Sequence, residues 1–170
     1  GDLPGDTAII DLPDIDSVEA SHAQVAGRLA TRVDALVVVV NPQKYADARL
    51  HDEWLERLRT SHASVTVALT HIDTLGVAER TSIVSDLRRI LDERGLTGAC
   101  VVPVSATTGE GVSALAAHLG GEADRVSRQA ARARAALAEA GLPFHVEATT
   151  YLGIFNFGNF RLWKDLEESW

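Results

Sequence analysis

The chain has 170 residues, 46% of them apolar and 24% charged, enough for one domain with a buried core and a short appendage. Sixteen basic residues against 24 acidic ones leave a net charge of −8, which argues against a nucleic-acid surface spread over the whole domain. The longest apolar run, Ala35 to Val40, is far short of the ~20 residues that span a bilayer, no leader pattern opens the chain and the lone Cys100 cannot form an internal disulfide, so a cytoplasmic protein is expected.

Thr7 to Leu12 reads as a short strand ending in an acidic turn, Asp11-Leu12-Pro13-Asp14. Val25, Leu29 and Val33 recur every four residues and predict a helix over 21–33 with one apolar stripe. Ala35 to Val40 is continuous and β-branched, as in a strand buried on both faces of a parallel sheet, and Pro42 stops it. Leu50, Trp54, Leu55 and Leu58 share one helical face over 46–61. A second buried strand, Val65 to Leu69, runs into Thr70-His71-Ile72-Asp73. Ile83, Val84, Leu87, Ile90 and Leu91 form the clearest amphipathic helix, over 77–94, and Gly95 is placed to end it. A third buried strand, Ala99 to Val104, leads into Ser105-Ala106-Thr107. Gly111 to Leu119 then opens a helix that resumes, after Gly120-Gly121, as an Ala/Arg-rich stretch to Ala140. Arg125, Arg128, Arg132 and Arg134 read as the solvated face of that stretch, and nothing in it amounts to a DNA-binding signal.

Composition shifts after Pro143, because seven of the nine aromatic residues fall in the last 27 positions. The expected organisation is a nucleotide-site domain over 1–120, a helix over 121–142 and an aromatic-rich tail over 143–170. Within that tail Tyr151 to Trp163 is rich in β-formers and could add a strand. Strands alternating with helices predict a three-layer α/β fold, doubly wound around a mostly parallel sheet. Ligands of such sheets bind outside the carboxyl ends of the strands, where all three motifs stand.

Each motif suits a distinct piece of chemistry. Mg²⁺ keeps most of its waters and takes one or two carboxylates, so Asp11, ending a strand, is the metal candidate. The Asp14 N–H, in the turn that follows, could meet a terminal phosphate. Guanine presents N1–H and an exocyclic amino group side by side, and one carboxylate can accept both; Asp73 is the candidate reader. Adenine would leave that carboxylate unpaired, which discriminates against it. Taken alone, each acidic turn equally fits the cap of a following helix. Zinc and nucleophilic chemistry are poorly supported, since the six histidines show no His-x-x-x-His spacing and no Gly-x-Ser-x-Gly elbow is present.

The ordered trio resembles the motifs of Era-like GTPases of the P-loop superfamily, over roughly 7–120. Asp11-Leu12-Pro13-Asp14 stands where Asp-x-x-Gly is usual, with Asp14 in place of glycine. Thr70-His71-Ile72-Asp73 is similar to Asn/Thr-Lys-x-Asp, His71 standing where a lysine packs on the base. Ser105-Ala106-Thr107, continued by Thr108-Gly109-Glu110-Gly111-Val112, resembles the loop whose alanine N–H points at guanine O6. Asp16-Ser17-Val18 and the run Asn41-Pro42-Gln43-Lys44-Tyr45-Ala46-Asp47 look closest to a dynamin-like or ribosome-associated bacterial branch. The resemblance implies GTP or GDP with Mg²⁺ as ligands, nucleotide contacts by Asp14, Thr70, His71, Asp73, Ser105, Ala106 and Thr107, and a ribosome, membrane or protein target in a parent GTPase.

A phosphate loop needs Gly-x-x-x-x-Gly-Lys-Ser/Thr, and the two lysines, Lys44 and Lys164, follow Gln43 and Trp163. With no methionine and an opening Gly1-Asp2-Leu3, the chain reads as the carboxyl-terminal part of a G domain, incomplete at its amino-terminal end. The alternative is a nucleotide-free remnant serving as a binding or assembly module. By the resemblance, the strand feeding the phosphate loop lies between those at 7–12 and 35–40. Its absence predicts a gap in the sheet that some other segment must fill.

Overall fold

The computed structural model describes residues 7–11, 28, 32–43, 45, 63–141 and 149–156. Five strands form one sheet: β1 (Thr7–Asp11), β2 (Ala35–Val40), β3 (Ser64–Leu69), β4 (Cys100–Pro103) and β5 (Thr150–Asn156). Their order is β1-β5-β2-β3-β4, and every neighbouring pair is parallel. Parallel neighbours need crossovers, and two helices supply them among the described residues: α1 (Val77–Glu93) between β3 and β4, and α2 (Val112–Glu139) between β4 and β5.

The period of two along each strand sorts the core into two layers. Leu36, Val38 and Val40 of β2, with Val65, Val67 and Leu69 of β3, pack with Ile83, Leu87 and Leu91 of α1. The alternate residues Val37, Val39, Ala68 and Val102 join Val104, Ile154 and Leu115 of α2 in a second cluster. With a helix over each face, all six residues of β2 are buried. That is why its sequence is a continuous apolar run. Each such Val or Leu contributes about 1.5–3 kcal/mol on burial.

The place between β1 and β2 is filled by β5, drawn from the aromatic-rich segment. Its Thr150 aligns with Thr7, and its Leu152 aligns with Ile9 on one side and Ala35 on the other. Leu152 is only 1% exposed, as befits an interior strand. Asp34 fixes this register: its N–H donates to Tyr151 O, and its carboxylate accepts the Tyr151 N–H, both at 2.9 Å.

The helix termini follow the sequence in one case and depart from it in another. Gly95 adopts φ 79° just past the C-cap Arg94 of α1, and the Leu96 N–H returns to Leu91 O at 2.8 Å, closing the helix as its glycine predicts. Gly120-Gly121, by contrast, does not interrupt α2, which runs unbroken for 28 residues. Two interior glycines cost roughly 1 kcal/mol each relative to alanine. Packing along the sheet offsets that cost: Leu115 and Ala123 are buried, His118 Nε2 lies 3.0 Å from Thr66 Oγ1, and Ser127 Oγ meets Thr150 Oγ1 at 3.4 Å.

Of the helix expected over 21–33, Arg28 is described and helical, while Val33 is buried outside it. The helix expected over 46–61, and Asp14, lie outside the described residues.

Candidate functional site

The site is built where β3 and β4 end side by side, Leu69 aligned with Pro103. Thr70 continues β3 and is 2% exposed; its N–H and its hydroxyl both donate to Val40 O, at 2.9 and 3.3 Å. A Thr at this position therefore ties the ends of β2 and β3 together while burying its polar atoms in hydrogen bonds. His71 then turns the chain through the left-handed region at φ 56°, which residues other than glycine adopt at a cost. The turn is held by Thr74, whose N–H and hydroxyl both donate to His71 O, at 3.1 and 2.7 Å. A short 3₁₀ turn over Ile72–Thr74 follows, and Ile72, 1% exposed, plugs it into the core. Asp73 is thereby placed at the surface.

The second loop is wound around Ser105. Val104 extends the strand pairing through its N–H to Leu69 O at 2.8 Å, which brings Ser105 level with the Asp73 turn. Ser105 is completely buried, its N–H donates to Glu110 O at 2.8 Å, and its Oγ accepts the Thr108 N–H at 3.1 Å. The same hydroxyl favours the ionised form of the Asp73 carboxyl. The Ser105 hydroxyl, then the Asp73 N–H and the nearby charges of His71 and Arg80, hold the Asp73 carboxyl below the usual carboxylate range against the opposing effect of desolvation. Ala106 is half-buried against the second core cluster, and among the described residues no backbone carbonyl accepts its N–H. Thr107 is exposed at the tip of the loop.

Gly111 closes this loop at φ 77°. A Cβ there would stand 2.1 Å from Pro103 O, so only glycine fits between the loop and the end of β4.

Arg80, on α1, joins the two loops. One guanidinium nitrogen donates to Ile72 O at 3.0 Å, and another pairs with the Glu110 carboxylate. Neither Arg80 nor a role for Glu110 was legible from the motifs. The available signal was a cation close to the start of a helix, where it works against the helix dipole.

Asp11 ends β1 at the same edge of the sheet and is exposed. It stands three strands from β3, about 14 Å away at the usual interstrand spacing. Among the described residues no group of three or more His, Cys, Asp or Glu could by itself hold a metal ion. A lone carboxylate at a strand end fits Mg²⁺ that takes its remaining ligands from water and phosphate. Beside the Asp73 turn lies a cavity of about 620 Å³, lined by Asn41, Pro42, Gln43 and Tyr45 on one side and by His71, Thr74, Leu75 and Glu79 on the other. Asp73, Ser105 and Ala106 do not line it.

No family model matches the sequence. No curated protein matches it. Among solved structures, the chain is similar to translation elongation factor SelB from Methanococcus maripaludis, crystallised in complex with the GTP analogue GppNHp, with a TM-score of 0.55 at 21% identity. The match covers 64% of this chain and 24% of that one, so the chain spans about a quarter of that structure. The chain shares the α/β, parallel-sheet fold of the matched part of that structure. Likeness at this identity establishes the architecture, and the chemistry rests on the residues just described.

Proposed function

We propose that this chain carries the guanine-reading half of a GTP-binding protein. The observation that supports this is the Asp73 turn set beside the loop of the buried Ser105 and the Ala106 N–H, at neighbouring strand ends on the carboxyl edge of a parallel sheet. A base seated there would give its N1–H and amino group to Asp73 and receive the Ala106 N–H at O6. His71 would lie along the base, Thr70 and Ser105 would hold the loops, and Thr107 would flank the pocket. Asp11 would hold Mg²⁺ through water near the phosphates, where the turn N–H at Asp14 would meet the terminal phosphate.

Phosphate binding is the weak half. The strand β5 lies where, by the resemblance, the phosphate-loop strand belongs, yet the sequence after Asn156 is Phe157-Gly158-Asn159-Phe160, without the lysine that neutralises phosphate charge. Hydrolysis of GTP is therefore assigned to a parent protein that supplies a phosphate loop, and no residue here is assigned as a catalytic base.

Titration of the 170-residue chain with GDP and with ADP, each with Mg²⁺ and followed by amide chemical shifts, tests the reading. Weak binding with a preference for GDP is expected, with shifts centred on Asp73 and Ala106. Equal response to the two nucleotides would overturn the base assignment, and micromolar affinity for GDP would overturn the weak-phosphate assignment. A nucleotide-free binding module, the alternative, would show neither response.

A further inference from the structure

We infer that Arg80 is a positioning residue that sets the spacing of the two loops forming the purine pocket, an inference that rests on the guanine reading above. Asp73 and Ala106 belong to different strand ends, and a base edge can engage both only if their separation is held within a fraction of an ångström. The backbone link between the loops is slight: the Ile72 N–H reaches Val104 O at 3.5 Å, a long contact. The Ser105 hydroxyl also acts on the Asp73 carboxyl, favouring its ionised form. Arg80 supplies the remaining tie. Its Nη2 donates to the carbonyl of Ile72, the residue before Asp73, while Nη1 pairs with Glu110, whose own carbonyl accepts the Ser105 N–H. The rigid guanidinium thus spans from one loop to the other, and its planar fork holds the distance between them.

Two features favour this role over simple surface pairing. Arg80 lies at the fourth position of α1, where a cation opposes the helix dipole, so helix stability alone does not explain it. Its side chain is 24% exposed, with Nε buried and without a hydrogen-bond partner, so the guanidinium is drawn into the protein rather than left in water. Glu110 is 52% exposed, and a pair so exposed on one side adds little to global stability. What it fixes is geometry. The same guanidinium also contributes to keeping Asp73 ionised, the form that accepts both donors of guanine.

The test uses the full chain and the variants Arg80→Met, Arg80→Lys and Glu110→Gln, with GDP and ADP as probes. Arg80→Met is expected to weaken GDP about tenfold while ADP changes by about twofold or less, because the lost charged hydrogen bonds matter only to a ligand using both loops. Arg80→Lys keeps the charge but not the fork, and is expected to recover only part of the GDP preference. In the absence of ligand, amide exchange at Asp73 and Ala106 is expected to quicken in all three variants while the unfolding midpoint stays in place. A role in stability alone would lower GDP and ADP binding together. A GDP-to-ADP ratio unchanged in both folded Arg80 variants would overturn the inference. If the parent chain itself showed no GDP preference, the guanine reading would fall, and the ligand-free exchange rates would still decide whether Arg80 holds the loops: faster exchange upholds the clamp, and unchanged exchange overturns it.

Discussion

Asp34 and Tyr151, 117 residues apart in sequence, exchange two hydrogen bonds of 2.9 Å: the Asp34 N–H donates to Tyr151 O, and the Asp34 carboxylate accepts the Tyr151 N–H. This double link sits where β2 and β5 begin, and it sets which residue of β5 faces which residue of β2. Asp34→Ala is expected to cost about 1 kcal/mol, the usual worth of such a bond. Equilibrium urea unfolding measures the loss, and faster amide exchange confined to 150–154 would assign it to β5.

Leu152→Ala tests whether β5 is part of the core rather than an attachment to it. The side chain is 1% exposed in an interior strand, so its truncation is expected to cost about 3 kcal/mol and to lower the single unfolding transition. Retention of the parent's midpoint would show β5 to be dispensable to the sheet.

The Asp73 carboxyl is expected to titrate below its ordinary value of 3.8, chiefly because the Ser105 hydroxyl favours the ionised form. A depressed folded value means that the stabilising contribution is present above the unfolded value and is lost as pH falls through the folded one. The window therefore lies on the acid side of 3.8, and Asp73 is ionised throughout the neutral range. Carboxyl-carbon NMR titration of Ser105→Ala should show the midpoint rise toward 3.8, and an unmoved midpoint would remove Ser105 as the cause.

Asp73→Asn should exchange one base for another. The amide offers one acceptor and one donor, which match the N1–H and 2-oxo group of xanthine rather than the paired donors of guanine. GDP binding should fall about a hundredfold relative to xanthosine diphosphate, as expected when buried polar groups are left mismatched. Competition between the two nucleotides on the Asp73→Asn chain measures it.

Gly109 and Gly111 make a matched pair for a stability test. Both have positive φ, but a Cβ at Gly109 meets nothing within 4 Å, whereas one at Gly111 collides with Pro103 O. Gly109→Ala should cost about 1 kcal/mol of backbone strain. Gly111→Ala should cost about 3 kcal/mol, since β4 or the loop must move as well. Thermal unfolding of the two variants side by side reads the difference.

Much of this molecule is legible in its sequence because local pattern and tertiary role agree. The run Ala35 to Val40 is apolar at every position, and Val65 to Leu69 at every position but Thr66, because helices cover both faces of the sheet, and Gly95 ends α1 where the periodicity stops. Asp73 and Ser105 could be paired in advance because each follows such a run. The gap predicted between the strands at 7–12 and 35–40 and the β-forming tail together point to the slot that β5 takes, but composition at 150–156 does not set its register against strands 117 residues or more away. Continuity of α2 across two glycines was hidden, being favoured by the packing of Leu115 and the contact of His118 with the sheet. Arg80 escaped because a cation on the polar side of an amphipathic helix looks like any solvated residue until the two loops it joins are folded.

The insertion of β5 between β1 and β2 also dictates an order of events during synthesis. The other four described strands leave the ribosome before Thr150, yet β1 and β2 have no shared partner until β5 arrives. Pairings of such wide sequence separation raise contact order and slow folding. The nascent chain must hold β1 apart from the β2-β3-β4 unit, with two parallel edges open, until β5 is free of the exit tunnel. Premature pairing with another chain is the hazard of that interval, and slowed translation just before Thr150 would prolong it.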